Sequence, residues 1–194
     1  MKKNREVRCM VGKPEIEVRE DGSIERIYGY AAVFDRDSED MGFIERIAQG
    51  AFKDALKSSD VRGLKNHDSN LIFARQGVNL KLKEDERGLF YEATPVDTQT
   101  YRQVAEEIRE GLLTGQSFSF TVLGQEWNKD YTERIITKIG ELFDVGPVTF
   151  PAYNDTTVAL RSIEAARQQD GQSAAKRARE IDILKLKSKS IEGE

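Results

Sequence analysis

The sequence predicts a mainly β (α+β) protein: a compact barrel of six or seven strands with helices packed on its outside. Many segments alternate polar and apolar residues, as half-buried strands do. Clusters of Gly, Asn, Asp and Ser separate these segments at short intervals and predict tight turns. Only one stretch carries a long helical period, so helices are expected to be few and to lie outside the barrel.

The first half of the chain predicts two hairpins and three short elements. Residues 1 to 13 are basic and mixed, and we expect a flexible lead there. Residues 15–18 alternate, Asp21-Gly22-Ser23 forms a turn, and a second strand follows through Phe34. The next predicted elements, in chain order, are a strand at 43–47, a small helix at 50–56, a strand at 61–64 that ends before His67, and a hairpin of 78–82 with 88–95.

The clearest helix runs from about Thr98 to Leu113, with Thr98 as its N-cap and Gly115 as its stop. Its apolar residues form one stripe: Tyr101, Val104, Ala105, Ile108 and Leu112. Two strands follow, at 117–123 and 134–145. In the first of them, Ser117 and Ser119 share one face, and Phe118 and Phe120 share the other. The barrel domain is therefore predicted to span residues 14–160.

Residues 161–194 are predicted to form a charged helical tail, interrupted at residues 170–173. A partner-binding arm, a self-cleavage region and a solvated extension all fit this composition. The net charge of −4 does not indicate nucleic-acid binding, which needs a basic face. No apolar run is long enough to span a membrane, and Cys9 is the single cysteine. We expect a soluble intracellular protein.

Three residues on separate β-like segments suggest nucleophilic chemistry: His67, Ser117 and Asp144. A serine hydroxyl becomes a good nucleophile when an imidazole takes its proton, and a carboxylate orients that imidazole. Plainer interpretations also fit, since His67 lies in a polar turn and Ser117 resembles an ordinary outward-facing strand residue. Asp144 lies between Phe143 and Val145 and needs a partner, because burying an unpaired carboxylate is costly.

Other chemistries are disfavoured. One histidine and one cysteine make a zinc site improbable. Glycine-rich phosphate loops are absent, and the acidic residues at 35–40 lack the spacing of a calcium loop. We therefore expect neither a metal nor an organic cofactor. A small esterase of another fold is disfavoured because the residues around Ser117 do not form a G-x-S-x-G elbow.

Several segments resemble, in order, the prohead (capsid-maturation) proteases of tailed bacteriophages over about residues 24 to 162. The segments are Tyr28-Gly29-Tyr30-Ala31-Ala32-Val33-Phe34, Phe43-Ile44-Glu45-Arg46-Ile47, Gly50-Ala51-Phe52, Asn66-His67-Asp68, Arg87-Gly88-Leu89, Gly115-Gln116-Ser117-Phe118-Ser119-Phe120, Leu142-Phe143-Asp144-Val145 and Pro147-Val148-Thr149-Phe150-Pro151-Ala152-Tyr153. Each segment alone is a weak signal, whereas the ordered set is specific.

The resemblance implies a serine endopeptidase with a fold related to the herpesvirus assemblin proteases. It implies His67 as base, Ser117 as nucleophile and Asp144 as third member, with Glu141 as a competitor that strand alternation would turn to the other face. Family members often have Ser where this chain has Gly146. Oxyanion-hole N–H groups are expected near Ala152 and Tyr153, and Pro151 is excluded because it has no N–H.

The resemblance also implies the partners. The substrates would be the major capsid protein and its scaffold segment, cleaved inside assembling proheads in the host cytoplasm. Self-cleavage and self-association are expected as well, without nucleic-acid or membrane partners. The alternative is a non-catalytic capsid-assembly factor of the same fold, in which the three residues never meet.

Overall fold

The computed structural model describes residues 5–10, 12–150, 162–168, 170–173 and 176. The chain divides into two compact units, Met1–Asn154 and Asp155–Glu194. Within the described part of the first unit, ten strands form two sheets and two helices flank them. The fold is mainly β, as predicted. The predicted closed barrel of six or seven strands is wrong, because these strands divide between two separate sheets.

The first sheet holds six strands and carries most of the residues singled out above. They are β1 (Glu6–Met10), β4 (Ile44–Ile47), β5 (Arg62–Leu64), β6 (Ile72–Arg75), β9 (Gly115–Trp127) and β10 (Glu133–Val148). The order is β1-β9-β10-β5-β6, and β4 also pairs with β10. β10 is long enough to pair with β4 at its start and with β5 near its end, both in parallel. It therefore brings distant parts of the chain together.

The second sheet is antiparallel and has four strands: β2 (Glu15–Val18), β3 (Ile24–Val33), β7 (Leu80–Glu84) and β8 (Gly88–Ala93). Their order in the sheet is β2-β3-β8-β7. Both predicted hairpins are present, as β2 with β3 and as β7 with β8. The hairpins pair with each other through β3 and β8. Alternation and turn residues were sufficient to predict these local pairings.

The core contains apolar side chains from both sheets and from the longer helix. On β9, the rings of Phe118 and Phe120 stack at 4.8 Å between centroids, and both are fully buried. Helix α2 (Gln99–Arg109) buries the predicted stripe from Tyr101 to Ile108, whereas Leu112, its predicted last member, lies beyond the helix and is exposed. These contacts fix the phenylalanine face of β9 inward, so the serine face lies on the opposite side of the sheet.

The helix boundaries differ from the prediction in two places. Thr98 caps α2 as predicted, since its hydroxyl accepts the Tyr101 N–H at 3.3 Å. The helix ends four residues early, however, and the residue with positive φ that follows it is Gly111 (φ 73°) rather than Gly115, which opens β9. Helix α1 spans only Ala55–Ser58, because residues 49–54 form turns.

Two strands were not predicted, and one predicted break is not observed. The expected flexible lead at residues 1 to 13 contains β1, and β6 was missed. In the second unit, residues 162–168 and 170–173 are helical, so the predicted interruption at 170–173 is wrong. Among the described residues, no helix is long and apolar enough to cross a membrane.

Candidate active site

The register of β9 and β10 places two of the three candidate residues side by side. Ser117 is paired with Gly146, and Ser119 is paired with Asp144. Ser117 and Ser119 share the face of β9 that lies opposite the phenylalanines. Asp144 therefore reaches across to the serine face from the neighbouring strand, two pair positions away from Ser117.

His67 reaches this face from the turn that follows β5. The parallel pairing of β5 with β10 aligns Arg62 with Asp144, so the end of β5 lies beside the end of β10. Asn66 fastens the turn: its backbone N–H donates to the Pro147 carbonyl at 3.1 Å, and its side-chain oxygen accepts the Thr149 N–H at 2.9 Å. Asn66 and His67 both adopt positive φ, 54° and 58°, a region in which Asn and His occur more often than most other residues.

Gly146 allows the close approach of β5 and β10. A Cβ atom at this position would lie 2.2 Å from the Leu64 carbonyl oxygen, a backbone atom that precedes the His67 turn. A side chain here would push β5 away from β10. Members of the resembling family often have serine at this position, and the glycine of this chain therefore has a steric basis.

The three predicted residues lie in one hydrogen-bonded series. The His67 Nε2 atom lies 2.5 Å from the Ser117 hydroxyl oxygen, and His67 Nδ1 lies 2.5 Å from Asp144 Oδ1. A neutral imidazole with its proton on Nδ1 donates to the carboxylate and leaves Nε2 free to accept the serine proton. The geometry thus suits activation of a serine hydroxyl.

Asp144 is 1% exposed, and its carboxylate has partners from three separate segments of the chain. Its second oxygen accepts hydrogen bonds from the Ser119 hydroxyl and from the Arg5 guanidinium. Of the two carboxylates considered, Asp144 is the one that binds His67. The Glu141 backbone N–H instead binds the Thr121 hydroxyl at 2.9 Å. The oxyanion-hole candidates Ala152 and Tyr153 lie outside the described residues.

Strand β1 covers Ser117, and this covering was not predicted from the sequence. Cys9 is paired with Ser117, and its sulfur lies 3.3 Å from the serine oxygen. The Ser117 hydroxyl donates to the Arg8 carbonyl at 2.8 Å. Ser117 is 0% exposed as a result. Alternating charged and apolar residues from Glu6 to Met10 were the signal that could have revealed this strand.

On the face of β1 opposite Cys9, four charged side chains form ion pairs that hold the strand in place. Arg8 Nε lies 2.6 Å from Glu45 Oε1 on β4, and Arg8 Nη2 lies 2.6 Å from Glu6 Oε2. Arg134 Nη1 on β10 lies 2.8 Å from Glu6 and 2.9 Å from Glu45. All four side chains are buried, and two carboxylates balance two guanidinium groups. We call these four residues the buried charge cluster.

The environment of His67 favours its protonated form. Burial lowers the pKa of the imidazole, but hydrogen bonds and charge interactions with Asp144 and Cys9 raise the pKa by more, to about 9. For the Cys9 thiol, burial raises the pKa, whereas hydrogen bonds with His67 and Ser117 lower it by more, to below its usual value. With β1 in place, an imidazolium therefore faces Ser117 at neutral pH.

The reactivity of Ser117 is expected to rise between pH 6 and pH 10 as His67 loses its proton. The base must be neutral to accept the serine proton, so reactivity is low below the raised pKa and increases through about 9. Asp144→Asn removes a cause of the raised pKa and should move the profile to lower pH while reducing its maximum. The measurement is the rate of fluorophosphonate labelling against pH.

A matched control for this profile is Asp68→Asn. Asp68 is the next residue after His67, and its carboxylate accepts hydrogen bonds from Asn70. Loss of the Asp68 carboxylate should leave the midpoint of the labelling-rate profile against pH unchanged. An Asp144→Asn profile with the wild-type midpoint would show that Asp144 does not set the protonation of His67.

A buried carboxylate, an imidazole and a serine in series, on a β fold of two sheets, have the geometry of a serine hydrolase. A family model described as caudovirus prohead serine protease matches residues 14–169. The chain belongs to this family and is a prohead maturation protease. Comparison with curated protein sequences found no match.

One solved structure to which the chain is similar is the capsid assembly protease gp21 of bacteriophage T4. The TM-score is 0.52 at 12% sequence identity, and the alignment covers 74% of this chain and 96% of that one. At this identity the likeness concerns the fold. The predicted relation to herpesvirus assemblin proteases is tested by neither comparison and stays a prediction.

Proposed function

We propose that this protease cleaves the major capsid protein and its scaffold segment within assembling proheads, with Ser117 as nucleophile, His67 as general base and Asp144 as the group that orients His67. The observation that supports these roles best is the continuous series from Ser117 through His67 to Asp144, with 2.5 Å at both junctions. Family membership supplies the reaction class, and the geometry supports the assignment of residues.

The mechanism is acyl transfer to water. His67 takes the Ser117 proton while the serine oxygen attacks the carbonyl carbon of the scissile bond. Asp144 stabilises the imidazolium that forms, and Ser119 holds the carboxylate in position through its second oxygen. The imidazolium then protonates the leaving amine, and a water molecule releases the acyl group by the same route.

The partners and setting follow from this function. The site of action is the assembling prohead in the host cytoplasm, and the enzyme is expected to cleave itself as well. The tail of residues 161–194 is an arm that brings the protease into the particle, a region that it removes, or a solvated extension. The fold relation to assemblin-type proteases belongs to the same proposal.

A second candidate function is a capsid-assembly factor without activity. The observation in its favour is that Ser117 is 0% exposed and is covered by Arg8 and Cys9. In that case the three residues would meet but would never contact a substrate.

Incubation of the chain with its own capsid protein distinguishes the two candidates. We expect the wild type to produce defined fragments by mass spectrometry, and Ser117→Ala to produce none. Ser58→Ala is the matched control, because Ser58 is an exposed serine whose hydroxyl donates only to the Asp54 carbonyl among the contacts described. Identical fragments from wild type and Ser117→Ala would remove Ser117 as nucleophile. A wild type that is folded, inert and unlabelled by fluorophosphonate would favour the assembly factor.

A further inference from the structure

Strand β1 lies where a protease needs an open edge. Among the strands that the structure describes, β1 is the end strand of the first sheet, and β9 is its neighbour in the order. If β1 left, β9 would become the edge, and its unpaired N–H and C=O groups would be available to another extended chain. Ser117, on β9, would then face that chain directly.

The backbone of β1 lies where the peptide of a substrate must lie. A nucleophile attacks a carbonyl carbon from about 3–3.5 Å. The Arg8 carbonyl lies beside Ser117, and its oxygen accepts the serine hydroxyl at 2.8 Å. This hydrogen bond uses the proton that His67 would have to take, so the covered serine is held in an unreactive arrangement.

We propose that β1 occupies the peptide-binding edge of this protease, and that a substrate binds there in its place as an extended strand with an acidic residue followed two positions later by a basic residue. This inference rests on the proposed function and specifies its substrate. A peptide that binds to a sheet edge as an added strand gains affinity from main-chain hydrogen bonds, and pockets for its alternate side chains give specificity.

The buried charge cluster supplies that specificity. Glu6 and Arg8 are two residues apart and point to the same face of β1, where they meet Arg134 and Glu45 respectively. A substrate in this register would place its acidic side chain against Arg134. Its basic side chain would lie against Glu45, and the carbonyl of that basic residue would face Ser117.

The cluster is also built so that β1 can be exchanged. Glu45 and Arg134 pair with each other at 2.9 Å, and Glu6 pairs with Arg8 at 2.6 Å. Separation of β1 would therefore leave a neutral pair on each side rather than an uncompensated buried charge, which is the costly outcome. The family match, moreover, begins at residue 14, after β1.

The first test compares Ser117 labelling by a fluorophosphonate in the full chain and in a chain that lacks residues 1–11. If β1 is seated more than nine-tenths of the time, its removal should accelerate labelling by about tenfold or more. Full-length Arg8→Glu is the second variant. It places a third carboxylate beside Glu6 and Glu45, so it should displace β1 and accelerate labelling even if the shortened chain does not fold.

The second test measures binding without catalysis. A fluorescent peptide of residues 5–10, Arg-Glu-Val-Arg-Cys-Met, is titrated into the shortened chain that carries Ser117→Ala, and anisotropy is recorded. The control peptide carries Glu6→Arg and Arg8→Glu, which keep its composition and net charge but reverse the pattern. The native peptide should bind at least about tenfold more tightly.

The outcomes separate this proposal from the proposed function. Equal labelling of the full chain and Arg8→Glu, or equal binding of the two peptides, would overturn the proposal while labelling of Ser117 still supported a serine protease. Binding with the expected charge preference, but no labelling of Ser117 in any version, would support the peptide edge and contradict the proposed chemistry.

Discussion

Replacing Ser117 with Ala is expected to reduce peptide-bond cleavage by about 10⁶-fold, and His67→Ala by a similar factor. The double variant should be no slower than either single variant, because the hydroxyl and the imidazole act as one unit. The His67 Nε2 atom lies 2.5 Å from the serine oxygen, so neither group activates the reaction without the other. Asp144→Asn should cost less, about 10⁴-fold, since serine and base both remain.

Single-turnover cleavage of a capsid-protein fragment provides the rates for this comparison. Circular dichroism shows whether each variant keeps the wild-type fold, and Ser58→Ala controls for replacement of a serine elsewhere. Losses that multiply in the double variant would mean that Ser117 and His67 act independently. An Asp144→Asn loss as large as that of Ser117→Ala would mean that Asp144 does more than orient the imidazole.

The residues of the candidate site were predicted chiefly from the family resemblance, because local pattern alone left plainer interpretations of His67 and Ser117 open. The alternation around Ser117 and Phe118 placed the serine on the face away from the core, and the apolar neighbours of Asp144 required a partner for its charge. The distances between these residues were not predictable. They depend on the parallel pairing of β5 with β10, a long-range contact that no local pattern encodes.

The missed elements have a different physical cause. β1 is short and highly charged, and local composition alone suggested a solvated lead. Glu6 and Arg8 are buried only because Glu45 and Arg134, far along the chain, neutralise them. The barrel was predicted because alternating strands were counted without knowledge of which strands pair. Tertiary contacts decide both features.

Arg134→Met is expected to lower the free energy of unfolding by about 3–5 kcal/mol, the usual cost of removing one partner from a buried ion pair. Arg134 is 2% exposed, and its guanidinium lies within 3.0 Å of both Glu6 and Glu45. Its loss leaves Arg8 as the one remaining cation of the buried charge cluster, with two carboxylates to compensate. Urea unfolding followed by circular dichroism measures the change.

Arg46→Met is the matched control, because Arg46 also contacts two carboxylates, Asp37 and Glu133, but at the surface. Exposed pairs contribute little, so its unfolding midpoint should hardly move. A second replacement, Glu6→Gln, should recover part of the loss in Arg134→Met, since one carboxylate then remains for Arg8. An equal effect of Arg134→Met and Arg46→Met would show that the cluster does not stabilise the sheet.

The pH dependence of unfolding tests independently whether the stability loss in Arg134→Met comes from charge. Burial raises the pKa of Glu6, but Arg134 and Arg8 lower it by more, so the pKa lies below the ordinary 4.5. A carboxylate with a lowered pKa stabilises the folded state above its unfolded pKa, and this contribution is lost as pH falls through the folded pKa. The deficit of Arg134→Met should therefore be full at neutral pH and shrink below about pH 4.5, as Glu6 is protonated. A deficit that is constant with pH would point to lost packing rather than lost charge.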